Sequence, residues 1–311
     1  MIISNTYEGQ VAPAVCFSHE NYFTAWYNQF GSRTIYTTRI TPEGVVLNLG
    51  NYIGDGSAEP DIACDDERCL VVWSREYYGV CARFIDSLAQ AQGDEITIDT
   101  TQGTSTIPKL AFGSGNYLVV WPDFCEAGTD PDIFGQLITT DGMLLGDRIT
   151  IADGPEIQSS VAITFDGYNY LVIWLEGLDG HNVCGQFVTT DGLLLGDKFL
   201  ISDDTLHWRQ DLSLGFSADN YLIVWAEYHD GLDIYGNLDI TVGVEEIKPR
   251  DPISMQISMP WIISGPLCLP GTGEFKIYDI LGRQVTKNLM RPGVYFLKID
   301  NQVLQKIVKV R

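Results

Sequence analysis

The sequence predicts an all-β protein in which a five-bladed β-propeller is followed by a small β-sandwich. Three observations predict this fold: an internal repeat of about 50 residues, four short strand-like runs in each repeat, and a change of composition after the last repeat. The chain has 311 residues, of which 31 are glycine and only 19% are charged, a composition that suits a β-rich globular protein.

Each repeat contains a tryptophan that closes a strand-like phrase such as NYLVVW or NYLVIW. These tryptophans are Trp26, Trp73, Trp121, Trp174 and Trp225. A tight turn precedes the phrase, and a variable polar loop follows it. A third run such as DIFGQLI comes next, and most copies end in a fourth such as GMLLGDRITI. Four short strands per repeat predict one propeller blade.

The two ends of the repeat array predict how the propeller closes. The fifth repeat stops after its third strand, and the first residues, MIISNTYEGQVAPAVCF, resemble the end of a repeat. We therefore expect the N-terminal strand to complete the last blade, which removes an open sheet edge. The predicted propeller covers residues 1–244. A larger ring whose first blades are missing is the alternative.

The composition changes after the last repeat. Residues 245–258 mix prolines with charges of both signs, which predicts a linker. Residues 259–311 contain the strand-like runs FKIYDILGRQV, RPGVYFLKID and QKIVKVR. Three short strands with glycine turns predict a small antiparallel β-sandwich.

This final segment resembles the C-terminal sorting domain of type IX secretion, a family of Ig-like modules on secreted bacterial proteins. The resemblance covers about 40 residues and is carried by Tyr278, Asp279, Gly282, Arg283, Gly293 and Tyr295. It implies an Ig-like sandwich, the secretion machinery as a partner, and a secreted or cell-surface location. The repeat region similarly resembles repeats of uncharacterised secreted bacterial proteins, a resemblance that implies no activity.

Charge and hydropathy argue against a nucleic-acid partner and against a membrane span. The chain carries 41 acidic and 19 basic residues, a net charge of −22. Such a protein repels phosphate backbones and anionic membranes, so nucleic acid is a poor partner. No apolar run is long enough to span a membrane. The first residues lack the pattern of a signal peptide, so we expect either an intracellular protein or a mature or truncated form of a longer one.

The long loops that follow the second strand of each blade predict a ligand-binding surface. These loops share one face of the propeller with the connections between blades, and we call it the long-loop face. Variable loops on a rigid scaffold commonly carry function. The candidate ligand-binding residues there are Phe30, Tyr77, Tyr78, Phe124, His181, Trp208, Tyr228 and His229. Aromatic rings suit sugars or peptide side chains, although rings that simply pack between loops remain the alternative.

Three carboxylates on the same face suggest a second interpretation. Asp123, Glu176 and Glu227 each stand two residues after a repeat tryptophan. Glycoside hydrolysis needs two carboxyl groups across a cleft. Repeat symmetry alone also places equivalent residues at equivalent points, whereas an acid and a base need different environments.

The main functional expectation is therefore a non-enzymatic binding protein for an extracellular glycan or protein. A propeller glycoside hydrolase and a structural scaffold are the alternatives. We expect no cofactor and no metal site, because the histidines lack metal-ligand spacing. A Ca²⁺ site in the Asp-rich loops GTDPD and GLDG is left open.

Cys64 and Cys69 predict a disulfide. They occupy the positions of a Phe and a Tyr that face each other across the first hairpin of the other four repeats. Both members of one cross-strand contact have changed together, which indicates a bond in place of a ring contact. A disulfide implies an oxidising compartment.

Overall fold

The computed structural model describes most of the repeat region and parts of the tail. The described residues are 1–4, 9–30, 33–56, 59–75, 79–100, 107–123, 131–177, 182–202, 207–217, 220–238, 261–263, 275–279, 284–286, 293–299 and 302–309. The chain divides into two compact units, Met1–Val242 and Gly243–Arg311. Among the described residues, no helix is long and apolar enough to cross a membrane.

The first unit is an all-β five-bladed propeller, as predicted. Blades 1 and 2 contain β1 (Gln10–Ser18), β2 (Asn21–Asn28), β3 (Thr34–Ile40), β4 (Asn51–Asp55), β5 (Asp61–Cys64), β6 (Cys69–Arg75), β7 (Gly79–Ile85) and β8 (Ala91–Thr97). Blades 3 and 4 contain β9 (Lys109–Gly113), β10 (Asn116–Asp123), β11 (Asp132–Thr139), β12 (Leu144–Ala152), β13 (Gln158–Phe165), β14 (Asn169–Glu176), β15 (Asn182–Thr189) and β16 (Leu194–Ser202). Blade 5 contains β17 (Arg209–Ser217), β18 (Asn220–Tyr228) and β19 (Leu232–Leu238).

Each blade is an antiparallel sheet whose strands follow chain order. The second strand is a nearly continuous apolar run because both of its faces are buried, as in β10 and β14. The fourth strand, exemplified by β12 and β16, is mostly exposed, although it contains several leucines and isoleucines.

The blades pack face to face in chain order. The tryptophan-bearing side of a blade, which we call the leading face, contacts the opposite or trailing face of the preceding blade. Trp73 packs with Phe23 of blade 1 in this way, and Trp174 packs with Leu118 of blade 3. The interfaces also contain hydrogen bonds, since the buried Tyr170 hydroxyl donates to the Gly113 and Asn116 carbonyls of blade 3 at 2.9 and 2.7 Å.

Two blade faces have no such neighbour among the described residues. On the trailing face of blade 5, Leu222 is 49% exposed and Ile234 is 76% exposed. The equivalent residues of blade 4, Leu171 and Val183, are both at 0%. On the leading face of blade 1, Tyr22 is likewise 42% exposed. Among the described residues, the propeller is therefore a series of five blades in which no other blade covers the leading face of blade 1 or the trailing face of blade 5.

The predicted closure of the last blade by the N-terminal strand is not seen among the described residues. The fifth sheet contains three strands, and Met1–Ser4 form none. These four residues instead line a cleft of about 750 Å³ on the leading face of blade 1, together with Tyr22 and Trp26. The start of the chain is apolar, so it covers part of an apolar face that no blade covers among the described residues.

The described strands of the second unit form one sheet. They are β20 (Trp261–Ile263), β21 (Phe275–Asp279), β22 (Gln284–Val285), β23 (Gly293–Ile299) and β24 (Gln302–Lys309), in the order β20-β24-β23-β21-β22. Only β20 and β24 run parallel within this sheet. A second sheet, which a sandwich needs, is not seen in the described residues, so the Ig-like sandwich stays a prediction.

The residues that resemble the sorting domain are distributed over this sheet. Tyr278 and Asp279 lie in β21, where Asp279 pairs with Tyr295 of β23. Gly293 begins β23. Gly282 and Arg283 lie outside the described residues. The sorting function stays a prediction.

Cys64 and Cys69 form the predicted disulfide. The two residues are direct partners in the β5–β6 hairpin, and their sulfurs are bonded. In the other four blades the equivalent Phe and Tyr rings are in contact, with centroids 4.8 to 5.0 Å apart. The Sγ of Cys16 in blade 1 lies 2.7 Å from that of Cys64. Burial, aided by the nearby charge of Asp61, raises the pKa of the Cys16 thiol to about 12.

Candidate functional site

The second strands of blades 3, 4 and 5 end in the three predicted carboxylates. Asp123, Glu176 and Glu227 are all buried, and each lies at the same repeat position on the long-loop face. Their surroundings differ in every case, however, and the difference arises from side chains that the repeat does not share.

Asp123 shares one guanidinium with a second carboxylate. Arg148 of β12 lies 3.2 Å from Asp123 and 3.4 Å from Asp99, and it stacks on the Phe134 ring at 3.8 Å. Burial and the negative charge of Asp99 raise the pKa of Asp123 above its ordinary value, although Arg148 opposes them. A carboxyl group with a raised pKa is suited to general acid catalysis.

Glu176 is held by donors to both of its oxygens. The Lys198 ammonium lies 2.8 Å from Oε1 and 2.7 Å from Oε2. The Trp174 indole N–H also donates to Oε2 at 3.3 Å. These contacts fix the orientation of the carboxylate, and the lysine neutralises its charge.

Glu227 lies among an arginine, a tryptophan and two histidines. Its Oε2 accepts hydrogen bonds from Arg209 at 2.7 Å and from the Trp225 indole at 2.9 Å. Its Oε1 is 2.9 Å from Nε2 of His229 and 4.0 Å from Nδ1 of His207. Burial alone would raise the pKa of Glu227, but the hydrogen bonds from Trp225 and Arg209, together with the Arg209 charge, lower it.

The basic partners were missed by sequence reasoning, although the sequence contains a signal for them. The fourth strands read GDRITI in blade 3 and GDKFLI in blade 4, and they supply Arg148 and Lys198. In blade 2 the corresponding phrase is GDEITI, and there the charges are exchanged, since Arg75 pairs with Glu95 at 2.6 Å. This compensating exchange shows that the ion pairs also hold the second strand to the fourth.

The structure places only some of the predicted ligand-binding residues. Trp208 and Tyr228 are exposed neighbours beside the Glu227 cluster, where the Tyr228 N–H donates to the Trp208 carbonyl at 2.9 Å. Phe30 is exposed on blade 1, where its ring lies against Gly9. Tyr77, Tyr78, Phe124 and His181 lie outside the described residues.

One group of side chains has the composition of a metal site. The nearest ligand atoms of His207, Glu227 and His229 lie within 4.8 Å of one another. Spacing along the chain does not predict this group, because the two histidines lie in different segments of the sequence. The Asp-rich loops considered for Ca²⁺ fall largely outside the described residues.

Comparison with known proteins gives the fold but no family. No family model and no curated protein matches the chain. Among solved structures, it resembles an endo-arabinase from Bacteroides thetaiotaomicron at 12% identity, over 73% of this chain and 92% of that one, with a TM-score of 0.44. An α-L-arabinofuranosidase from Lactobacillus brevis matches at 9% identity, over 74% and 90%, with a TM-score of 0.45. The Aleuria aurantia lectin matches at 11%, over 73% and 77%, with a TM-score of 0.49.

These structures correct the main functional expectation. The sequence favoured a non-enzymatic binding protein, with a propeller glycoside hydrolase as one alternative. The arabinase and the arabinofuranosidase are enzymes of that second kind, and so are a family-43 glycoside hydrolase and a Penicillium chrysogenum arabinanase among the matched structures. At such low identity the likeness shows the propeller fold alone.

Proposed function

We propose that the propeller is a glycoside hydrolase whose acid and base lie on the long-loop face. One observation carries the proposal: adjacent blades place Asp123 and Glu176 at the same repeat position in unlike surroundings. Burial and the charge of Asp99 raise the pKa of Asp123, whereas a lysine and an indole hold Glu176 through both oxygens.

Asp123 is the proposed general acid. In glycoside hydrolysis the acid protonates the leaving-group oxygen while the second carboxylate acts on the opposite side of the sugar ring. Arg148 is already shared between two carboxylates, so it leaves Asp123 with a raised pKa. Such a pKa extends the pH range over which the acid stays protonated.

Glu176 is the proposed base or nucleophile. Lys198 and Trp174 orient its carboxylate and do not themselves react. The exposed rings of Trp208 and Tyr228 offer a platform for a sugar on a nearby blade. We further propose that the enzyme acts outside the cell, in agreement with its disulfide.

The experiment measures release of reducing sugar from arabinan, xylan and other neutral polysaccharides. Asp123→Asn and Glu176→Gln should each lower kcat by at least about a hundredfold. Asp197→Asn, which removes an exposed carboxylate beside Lys198, is the matched control and should retain activity. Wild-type activity in both site variants, or no release from any substrate, would refute the proposal.

A further inference from the structure

We propose that His207, Glu227 and His229 bind a divalent transition-metal ion, with Zn²⁺ as the probe, at the long-loop end of blade 5. This site involves neither Asp123 nor Glu176. It therefore goes beyond the proposed hydrolase activity and can succeed or fail independently of it.

Strand register brings the three ligands to one surface. Arg209 of β17 pairs with Glu227 of β18, and the hydrogen bond between Tyr228 and Trp208 continues that ladder outward. His207 lies just before β17 and His229 just after β18, and their ring centroids lie 3.7 Å apart. Both imidazoles are directed to Oε1 of Glu227, so the three side chains share one side of the hairpin.

The distances suit a small metal ion. Oε1 of Glu227 is 2.9 Å from Nε2 of His229 and 4.0 Å from Nδ1 of His207. Zinc bonds to nitrogen and oxygen measure about 2.0–2.2 Å, which makes the ligand-to-ligand edges of a tetrahedron about 3.4 Å. The two observed separations bracket this value, so small rotations of the imidazole rings complete the three-ligand set. Two imidazoles and one carboxylate are ligands that Zn²⁺ uses in proteins.

The carboxylate is already oriented for this role. Arg209 and Trp225 both donate to Oε2 of Glu227, so Oε1 is directed to the histidines. Arg209 is itself buried and donates to the Ser202 carbonyl at 3.2 Å. Partners of this kind, one shell beyond the metal, fix ligand geometry and strengthen binding.

Charge sets the expected strength of binding. Arg209 offsets the charge of Glu227, which weakens the attraction for a cation, while Asp233 pairs with Glu227 in the β18–β19 ladder and adds negative charge nearby. The net charge of −22 also favours cations in general. We therefore expect micromolar binding, weaker than that of a structural zinc site.

The site breaks the repeat symmetry. The position of His229, four residues after the repeat tryptophan, holds Phe30, Tyr77, Cys125 and Leu178 in the other repeats. A feature that served only to build blades would recur in each of them. The arrangement of two histidines around a buried carboxylate is specific to blade 5.

Isothermal titration of the full chain with Zn²⁺ tests the proposal. We expect one ion per chain, and at least tenfold weaker binding in His207→Ala, His229→Ala and Glu227→Gln. His19→Ala, on a β1–β2 turn at the opposite face, is the matched control and should bind as the wild type does. Co²⁺ in place of Zn²⁺ should give a visible absorption band that both site histidines are needed to produce.

Two results of the Zn²⁺ titration would contradict the site. No binding, or undiminished binding in both site histidine variants, would overturn the proposal. Should an alanine variant melt early, His207→Asn and His229→Gln replace it, and the Zn²⁺-induced rise in the melting temperature is compared with that of the wild type. Asp123→Asn should lose hydrolysis and retain Zn²⁺ binding, which separates this inference from the proposed function.

Discussion

Leu171 and Leu222 form a matched pair that tests whether the last blade is uncovered. They occupy the same position in the second strands of blades 4 and 5, but Leu171 is fully buried and Leu222 is 49% exposed. Leu171→Ala should cost about 3 kcal/mol, because a buried leucine loses both its transfer free energy and the packing around the resulting cavity. Leu222→Ala should cost about 1 kcal/mol, since half of its side chain is already in water and the gap opens to solvent.

Denaturant unfolding followed by tryptophan fluorescence measures this difference. Six of the seven tryptophans belong to the first unit, so the signal reports the propeller. Leu118→Ala, at the equivalent fully buried position of blade 3, is the control and should match Leu171→Ala. The reasoning is refuted if Leu222→Ala costs as much as the other two, because its face must then be covered in solution.

Three further predictions concern single interactions. Reduction of the Cys64–Cys69 disulfide should add two hydrogens to the intact mass and cost about 2 kcal/mol of stability; free thiols at both positions before reduction would contradict the bond. Tyr170→Phe should cost about 1 kcal/mol through its lost hydrogen bonds between blades, and the exposed Tyr22→Phe should cost nearly nothing in the same melts. Glu227→Gln should cost about 3 kcal/mol at neutral pH, because it leaves a buried arginine without its charge partner. Because folding lowers the pKa of Glu227, its ion pair stabilises the folded protein fully above the ordinary glutamate pKa of about 4.3. This stability is lost as the pH falls through the folded-state pKa, so the melting curves of wild type and variant should converge in acid.

Local patterns in the sequence predicted the blades correctly. The repeated phrase around each tryptophan is a buried second strand, and consecutive residues of the chain are enough to recognise it. The cysteine pair was predictable for the same reason, since one hairpin contains both partners and the other blades show what normally stands there. Short-range pattern and repeat comparison were sufficient for these features.

Contacts between distant segments were harder to predict. The N-terminal segment resembles the end of a repeat, but similarity of sequence does not specify which apolar face a segment covers. Met1–Ser4 line a cleft on blade 1, and closure of the last blade stays a prediction. The His207–His229 pair depends on hairpin register, which becomes visible only when the first and second strands of blade 5 are aligned. The partners of Asp123 and Glu176 were readable in principle from the exchanged charges of blade 2.

A series of blades with two uncovered ends has consequences for how the molecule opens. In stacked arrays, stability is approximately a sum of unit and nearest-neighbour terms. Among the described residues, blades 2 to 4 have two stabilising neighbours and the end blades have one. Amide hydrogens of β10 and β14 should then exchange with solvent most slowly, while those of β2 and β18 exchange through local opening. The propeller would melt inward from both ends, and the Cys64–Cys69 bond, which joins two strands of blade 2, would hold only its own hairpin together.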